Sequence, residues 1–184
     1  MFVLVTGGSG SGKSEFAEKL SLYFETEEKY YIATMYPFDL ESKERVRRHQ
    51  EMRKEKHFQT LEYFINIKKC ASSMKKDKDT TLLECVSNLL ANEMYQESGA
   101  KDQAVEEIVT GICKIKQNTK NLIVVTNEVF SDGILYEEET SKYIKYLGQI
   151  NQILAREAHM VIEVVYGIPI IHKGVAYEEI IRKL

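Results

Sequence analysis

Phe2-Val3-Leu4-Val5-Thr6-Gly7-Gly8-Ser9-Gly10-Ser11-Gly12-Lys13-Ser14 is the stretch that decides the fold. Phe2 to Thr6 is a short apolar run that meets glycine at once, the pattern of a buried parallel strand. Gly7 to Ser14 then reads G-x-x-x-x-G-K-S, and Phe16, Leu20 and Phe24 recur four residues apart, so a helix is expected over Ser14–Phe24. A glycine-rich turn between a strand and a helix is a phosphate-binding loop. Its glycines let the backbone curl until successive N–H groups face phosphate oxygens, and the helix adds its positive N-terminal end. Lys13 is the expected partner of the β- and γ-phosphates of ATP or GTP, and Ser14 of Mg²⁺. Gly7, Gly8, Ser9, Gly10, Ser11, Gly12, Lys13 and Ser14 form the expected phosphate cradle. The bland alternative, a glycine-rich turn with no ligand, fits the strand–turn–helix context less well.

Working outward, further buried strands are expected at Tyr30–Thr34, Thr81–Cys85, Leu122–Thr126 and Met160–Tyr166. Helices are expected at Glu41 to about Lys56, Val86–Tyr95, Val105–Lys116 and Glu137–Ala158. The last carries Tyr143, Leu147, Ile150, Leu154 and Ala158 at helical spacing. Strands alternating with helices predict an α/β domain, a mostly parallel sheet with helices on both faces. Glu97–Asp102 and Ser131–Tyr136 read as surface loops, the second the candidate for motion. With two prolines and no Ser- or Gly-rich linker, residues 1–184 are expected to form one domain.

A phosphate loop needs an acid near its metal, and two are placed for it. Glu84 ends the run Thr81-Leu82-Leu83-Glu84-Cys85, and Glu128 follows Leu122–Thr126. Either acid, at a strand end, also suits the capping of a following helix. Between Lys43 and His57 stand seven Lys or Arg and three acids, a local charge of +4 against −3 for the whole chain. On a helix, Arg45, Arg48, His49, Met52 and Arg53 share a face. A histidine among arginines suits attack on a phosphate, since the cations hold the oxygens while a neutral ring nitrogen acts as nucleophile or base. A solvated charged helix explains the same composition, and spacing alone does not choose. His57, His159 and His172 stand singly and read as structural.

Bulk composition closes other doors. The chain has 43% hydrophobic and 29% charged residues, close to globular averages. A net charge of −3 gives no field for nucleic acid or anionic membranes, and the one basic helix lacks aromatic interleaving. Cys70, Cys85 and Cys113 are scattered and odd in number, as expected of reduced thiols in the cytoplasm. No apolar run approaches the roughly 18 residues of a membrane span.

Several blocks together resemble one family. They are Val3-Leu4-Val5-Thr6-Gly7-Gly8, Ser11-Gly12-Lys13-Ser14, Tyr31-Ile32-Ala33-Thr34, Arg45-Val46-x-x-His49, Leu82-Leu83-Glu84-Cys85 and Asn88-Leu89-Leu90. Thr126-Asn127-Glu128-Val129, Gly148-x-x-Asn151-Gln152-x-Leu154-Ala155 and Gly167-Ile168-Pro169 follow in order. The set resembles the bifunctional adenosylcobinamide kinase/adenosylcobinamide-phosphate guanylyltransferases of cobalamin biosynthesis. The resemblance implies a RecA-like P-loop fold, a homotrimer, and two reactions. The first is phosphorylation of adenosylcobinamide by ATP or GTP. The second is transfer of GMP from GTP through a guanylylated histidine, matched here by His49. The expected nucleotide site then comprises Thr34, Arg45 and Asn127 from the resembling blocks together with Glu84 and Glu128, the two strand-end acids. Arg48 joins them by charge and spacing alone. The rival functions are another small-molecule P-loop kinase without a covalent histidine, and a nucleotide-binding protein without turnover. Asn151 and Gly148 interrupt a helix stripe, which a close backbone approach, a ligand or a subunit contact would each explain. The chain departs from the family pattern at Gln50, Phe130, Leu135-Tyr136 and Ser141–Tyr146.

Overall fold

The computed structural model describes residues 1–53, 56–74, 79–129, 133–134, 136–174 and 178–182. Within the helix over residues 40–53, the side chains at 41, 42, 45, 48, 49, 52 and 53 also lie outside the described set. The elements run β1 (Phe2–Thr6), α1 (Lys13–Tyr23), β2 (Glu28–Ala33), α2 (Leu40–Arg53), β3 (Gln59–Glu62), β4 (Asp79–Glu84) and α3 (Val86–Tyr95). Then follow α4 (Ala104–Gln117), β5 (Asn121–Val125), α5 (Glu138–Glu157), β6 (Met160–Val165), β7 (Ile168–Lys173) and α6 (Glu178–Arg182). Short 3₁₀ segments occupy Ile67–Ser73 and Lys101–Gln103.

Seven strands form one sheet in the order β3-β2-β4-β5-β1-β6-β7, parallel except for the β6–β7 hairpin. Alternation along each strand divides the core. Phe2, Leu4, Ile32, Leu83, Leu122 and Val124 face α3, α4, α5 and the first 3₁₀ segment. Val3, Val5, Leu82, Ile123, Val125 and Ile162 face α1, with Ile180 and Ile181 of α6 packed at the edge. Every residue of β5 is buried, as a strand sandwiched between helical layers must be. This is the α/β architecture expected, a mostly parallel sheet with helices on both faces.

The expected strands and helices are present within two residues, apart from the C-terminal bound of the basic helix. That helix is described over Leu40–Arg53, Lys56 lies outside it, and β3 follows. The strands β3 and β7 escaped the sequence reading. Both are edge strands of polar or mixed pattern, and the four-residue β3 carries no apolar run. Part of the loop expected at Glu97–Asp102 is the second 3₁₀ segment. In the loop expected at Ser131–Tyr136, residues 131, 132 and 135 lie outside the described residues, as do the family departures Phe130 and Leu135.

Candidate active site

The parallel strands β1 to β5 end along one edge of the sheet, and a cavity of about 720 Å³ opens there. That position, outside the carboxyl ends of the strands, is where open α/β sheets receive ligands, and the volume lies in the range of small-molecule pockets. Ser9 to Ser14 form one wall. Tyr31, Ala33, Glu84, Cys85, Val125 and Asn127 form the floor at the strand ends.

The loop between β1 and α1 is held in shape by its own backbone. Ser11 N–H donates to the Gly8 carbonyl (3.2 Å), and the Ser11 carbonyl accepts from Gly167 N–H of the β6–β7 turn (2.8 Å). Gly12 has φ +91°, and a Cβ there would stand 3.2 Å from the Gly167 Cα, so glycine is required both for conformation and for contact. Lys13 is 8% exposed and its ammonium donates to the Gly8 carbonyl across the loop (2.9 Å). Burial lowers its pKa, and the neighbouring Cys85 and Glu84 oppose that shift. A phosphate arriving at the loop would restore the balance towards the ammonium.

Ser14 and Glu84 meet directly, the serine hydroxyl donating to Glu84 Oε1. Tyr31 donates to the second carboxylate oxygen (3.0 Å). Of the two acids singled out from the sequence, Glu84 is therefore the one brought to Ser14. Glu128 meets the loop through its backbone, its N–H donating to the Gly7 carbonyl (3.1 Å), and its side chain is not in the cavity wall. Gly7 and Gly8 likewise support the loop from outside the wall.

Asn127 is in the wall, its amide donating to Ser87 Oγ (2.7 Å). Asn151 proves to be an internal strut. Its Oδ1 accepts from Thr126 (2.7 Å) and its amide lies 3.4 Å from the Asn127 carbonyl, which ties α5 to the strand end. A contact within the chain thus explains the polar break in the α5 stripe.

Thr34 departs from its expected place. It is fully buried and absent from the cavity wall. Its hydroxyl accepts from Cys85 N–H (2.7 Å) and donates to the Cys85 carbonyl (2.8 Å), while Asn92 donates to its carbonyl (2.7 Å). The reason is register. Ala33 pairs with Glu84, so the residue that follows β2 falls opposite Cys85, where β4 turns into α3.

The far wall was not foreseen from the sequence. Met35, Tyr36 and Pro37 follow β2, Val46 and Gln50 project from α2, and Thr60, Glu62 and Phe64 come from β3 and its exit. Tyr36 sits edge-on to Phe64 (5.2 Å between centroids) and stacks with Phe38 (6.3 Å). Asn88, quoted above only as part of a motif, lines the cavity from α3. Position 49 lies on α2 between Val46 and Gln50; the side chains of Arg45, Arg48 and His49 are outside the described residues.

With this geometry in place, comparison with known proteins is decisive. The family described as cobinamide kinase / cobinamide phosphate guanyltransferase matches residues 3–171. The chain belongs to that family. The bifunctional adenosylcobalamin biosynthesis protein CobU of Escherichia coli (strain K12) is 32% identical over 180 residues, covering 91% of this chain and 97% of its own length. The protein of the same name from Salmonella typhimurium is 31% identical with the same coverage. Among solved structures, a protein of Pyrococcus horikoshii OT3 studied as Project ID PH0250 superposes with a TM-score of 0.51. It is 11% identical and covers 95% of this chain and 86% of that one. At that identity the likeness is one of fold alone. Among the described residues, no helix is long and apolar enough to cross a membrane.

Proposed function

We propose that this member of the cobinamide kinase/guanylyltransferase family carries out both reactions in the cavity at the strand ends, with residues 1–184 acting as one catalytic unit. In the first, a hydroxyl of adenosylcobinamide attacks the γ-phosphorus of ATP or GTP. An O–P bond forms, the hydroxyl proton is released, and the nucleoside diphosphate departs with the electrons of the broken bond. In the second, a neutral ring nitrogen of His49 attacks the α-phosphorus of GTP, and pyrophosphate leaves. A phosphate oxygen of adenosylcobinamide phosphate then attacks the same phosphorus, the N–P bond breaks and adenosylcobinamide-GDP forms.

The observation that carries this reading is the placement of α2. Val46 and Gln50, three residues before and one after position 49, both line the cavity whose opposite wall is the phosphate loop. The helix of the histidine therefore stands across the cavity from the cradle. Lys13 and the loop N–H groups would hold the phosphates, Arg45 and Arg48 would add positive charge, and Asn127 would contribute a polar contact at the floor.

The residues also fit Mg²⁺. Ser14 Oγ and the Glu84 carboxylate already meet, and hydroxyl and carboxylate oxygens are the donors this hard cation takes while it keeps waters and phosphate oxygens as its other ligands. When bound, the ion would neutralise charge on the transferring phosphoryl group. Tyr31, holding the second oxygen of Glu84, orients the carboxylate towards Ser14. The protein is read as cytoplasmic. Its homotrimer would draw on the exposed apolar residues Tyr166, Ile168 and Ile170 at the β7 edge.

The test is protein guanylylation. Purified protein is incubated with α-labelled GTP and Mg²⁺, and its intact mass is measured for wild type, Lys13→Ala and His49→Ala. A GMP adduct that is acid-labile, alkali-stable and absent from both variants is expected. An adduct retained by His49→Ala would remove that residue as nucleophile. No adduct despite GTP binding would favour a plain P-loop kinase.

A further inference from the structure

Glu18 is an oddity on the phosphate-loop helix. It lies one turn beyond Ser14, on the same face of α1, and is fully buried. A carboxylate so far from water is tolerated only beside a cation that offsets its desolvation. Lys56 supplies one, with Nζ 2.5 Å from Glu18 Oε2 and only 28% of its side chain exposed.

Lys56 stands three residues past the end of α2. The chain beyond it is held as well. His57 takes a left-handed backbone (φ 54°), and Phe58 packs edge-on against Tyr31 (6.3 Å between centroids), the residue that donates to Glu84. The body of α2 is attached differently. Among the described side chains, none of α2 belongs to either buried core cluster, and Leu40 at its start is 85% exposed. Val46 and Gln50 touch a cavity rather than a packed layer. A helix whose described side chains reach no packed core takes much of its position from its ends, and three residues past Arg53 the chain is tied to α1 by the part-buried Glu18–Lys56 pair.

We infer that the Glu18–Lys56 pair is a positioning device: it fixes the end of α2 against the phosphate-loop helix, and so sets where the residues of α2 stand relative to a phosphate in the cradle. This rests on the proposal above that α2 carries the guanylylated histidine. Neither residue lines the cavity, so the pair acts through α2. Its loss should therefore fall most heavily on the reaction that takes its nucleophile from α2, and largely spare phosphoryl transfer to cobinamide, to which α2 would lend charge but no reacting atom.

The test compares the two half-reactions. Glu18→Gln/Lys56→Ala removes the arm without leaving a lone buried carboxylate, and Lys56→Arg keeps a cation of similar reach. Lys56→Gln, which keeps a donor on a shorter arm, reads the same split if the double variant does not fold. For each, the single-turnover rate of protein guanylylation by GTP, the rate of ATP-dependent cobinamide phosphorylation and the thermal midpoint are measured. Displacement of a reacting group by an ångström costs on the order of a hundredfold, so guanylylation should fall at least about tenfold. Phosphorylation should stay within about twofold of wild type, and Lys56→Arg should recover most of the guanylylation. A parallel fall of both reactions with the thermal midpoint would make the pair structural only and overturn the inference. His49→Ala runs alongside. If it still forms the adduct, the nucleophile assignment fails. If it loses the adduct while Glu18→Gln/Lys56→Ala keeps the wild-type rate, only the positioning role is overturned.

Discussion

Replacing Thr34 by valine separates support of the site from contact with its ligand. The Thr34 hydroxyl answers both backbone groups of Cys85, accepting from its N–H at 2.7 Å and donating to its carbonyl at 2.8 Å, in a place with no exposure to water. Valine has nearly the same shape but leaves the Cys85 N–H buried without a partner. Such an orphaned donor costs about 1–3 kcal/mol. For a chain of this size each kcal/mol lowers the thermal midpoint by about 2–4 °C, so Thr34→Val should melt about 2–12 °C below wild type. Thr34→Ser keeps both hydrogen bonds and gives up one buried methyl, about 0.8 kcal/mol, and should sit between the two. The assay is a thermal melt followed by nucleotide titration of the folded protein at low temperature. Because Thr34 does not reach the cavity wall, affinity for GTP should change by less than about threefold, under 1 kcal/mol. An unchanged midpoint together with a loss of affinity beyond about tenfold would refute the reasoning and return Thr34 to the ligand-binding set.

Two further outcomes follow from the same kind of measurement. A Cβ added at Gly7 would stand 2.5 Å from the Val164 carbonyl oxygen and 2.6 Å from Ser11 Oγ, whereas one added at Gly8 meets nothing within 4 Å. In urea unfolding, Gly7→Ala should therefore lose about 1–3 kcal/mol through overpacking, and Gly8→Ala no more than about 0.5; equal losses would sink the distinction. Burial pushes the Cys70 thiol from 9.0 up to about 12, so above pH 9 the unfolded chain sheds a proton that the folded chain keeps. Stability should then fall between about pH 9 and 12, by at most about 1.4 kcal/mol per pH unit from this group. Denaturant titrations across that range should show a shallower fall in Cys70→Ala, and an identical slope would assign the loss to other groups.

How much of this was readable beforehand depends on whether a feature is local in sequence. The phosphate loop is local: eight consecutive residues specify its backbone, and strand and helix flank it where expected. Glu84 is less sharply marked, because an acid at the end of a buried run suits a metal or a helix cap equally. What separates it from Glu128 is strand order. β4 carries Glu84 to a place where Ser14 Oγ and Tyr31 reach it, while Glu128 follows β5 and meets Gly7 through the backbone. Thr34 was expected at the ligand, and Asn151 was left open between three explanations, for the same reason in reverse. Each is a polar residue in apolar surroundings, and only the register of β2 on β4, or the approach of α5 to residues 126 and 127, shows that the partner is the chain itself.

The wall opposite the loop was hidden for a deeper reason. It is a composite of Met35 to Pro37, two residues of α2 and three from β3 and its exit, none of which forms a pattern alone. Tyr36 and Phe64 are 28 positions apart in sequence and in contact in space, because β2 and β3 pair in parallel with Ala33 opposite Glu62. β3 itself has no apolar alternation, since an edge strand with one solvated side does not need it. That asymmetry has a chemical consequence. The loop wall, which must grip phosphates common to every nucleotide, is made by consecutive residues with little freedom to vary. The opposite wall is made by side chains from separate segments that can change one at a time, and on the function proposed above it is the wall that would meet what is particular to the acceptor or the base. Gln50, one of the family departures, lies in that second wall. Changes in this chain's substrate preference should therefore trace to residues 35–37, 46, 50, 60, 62 and 64 rather than to the loop.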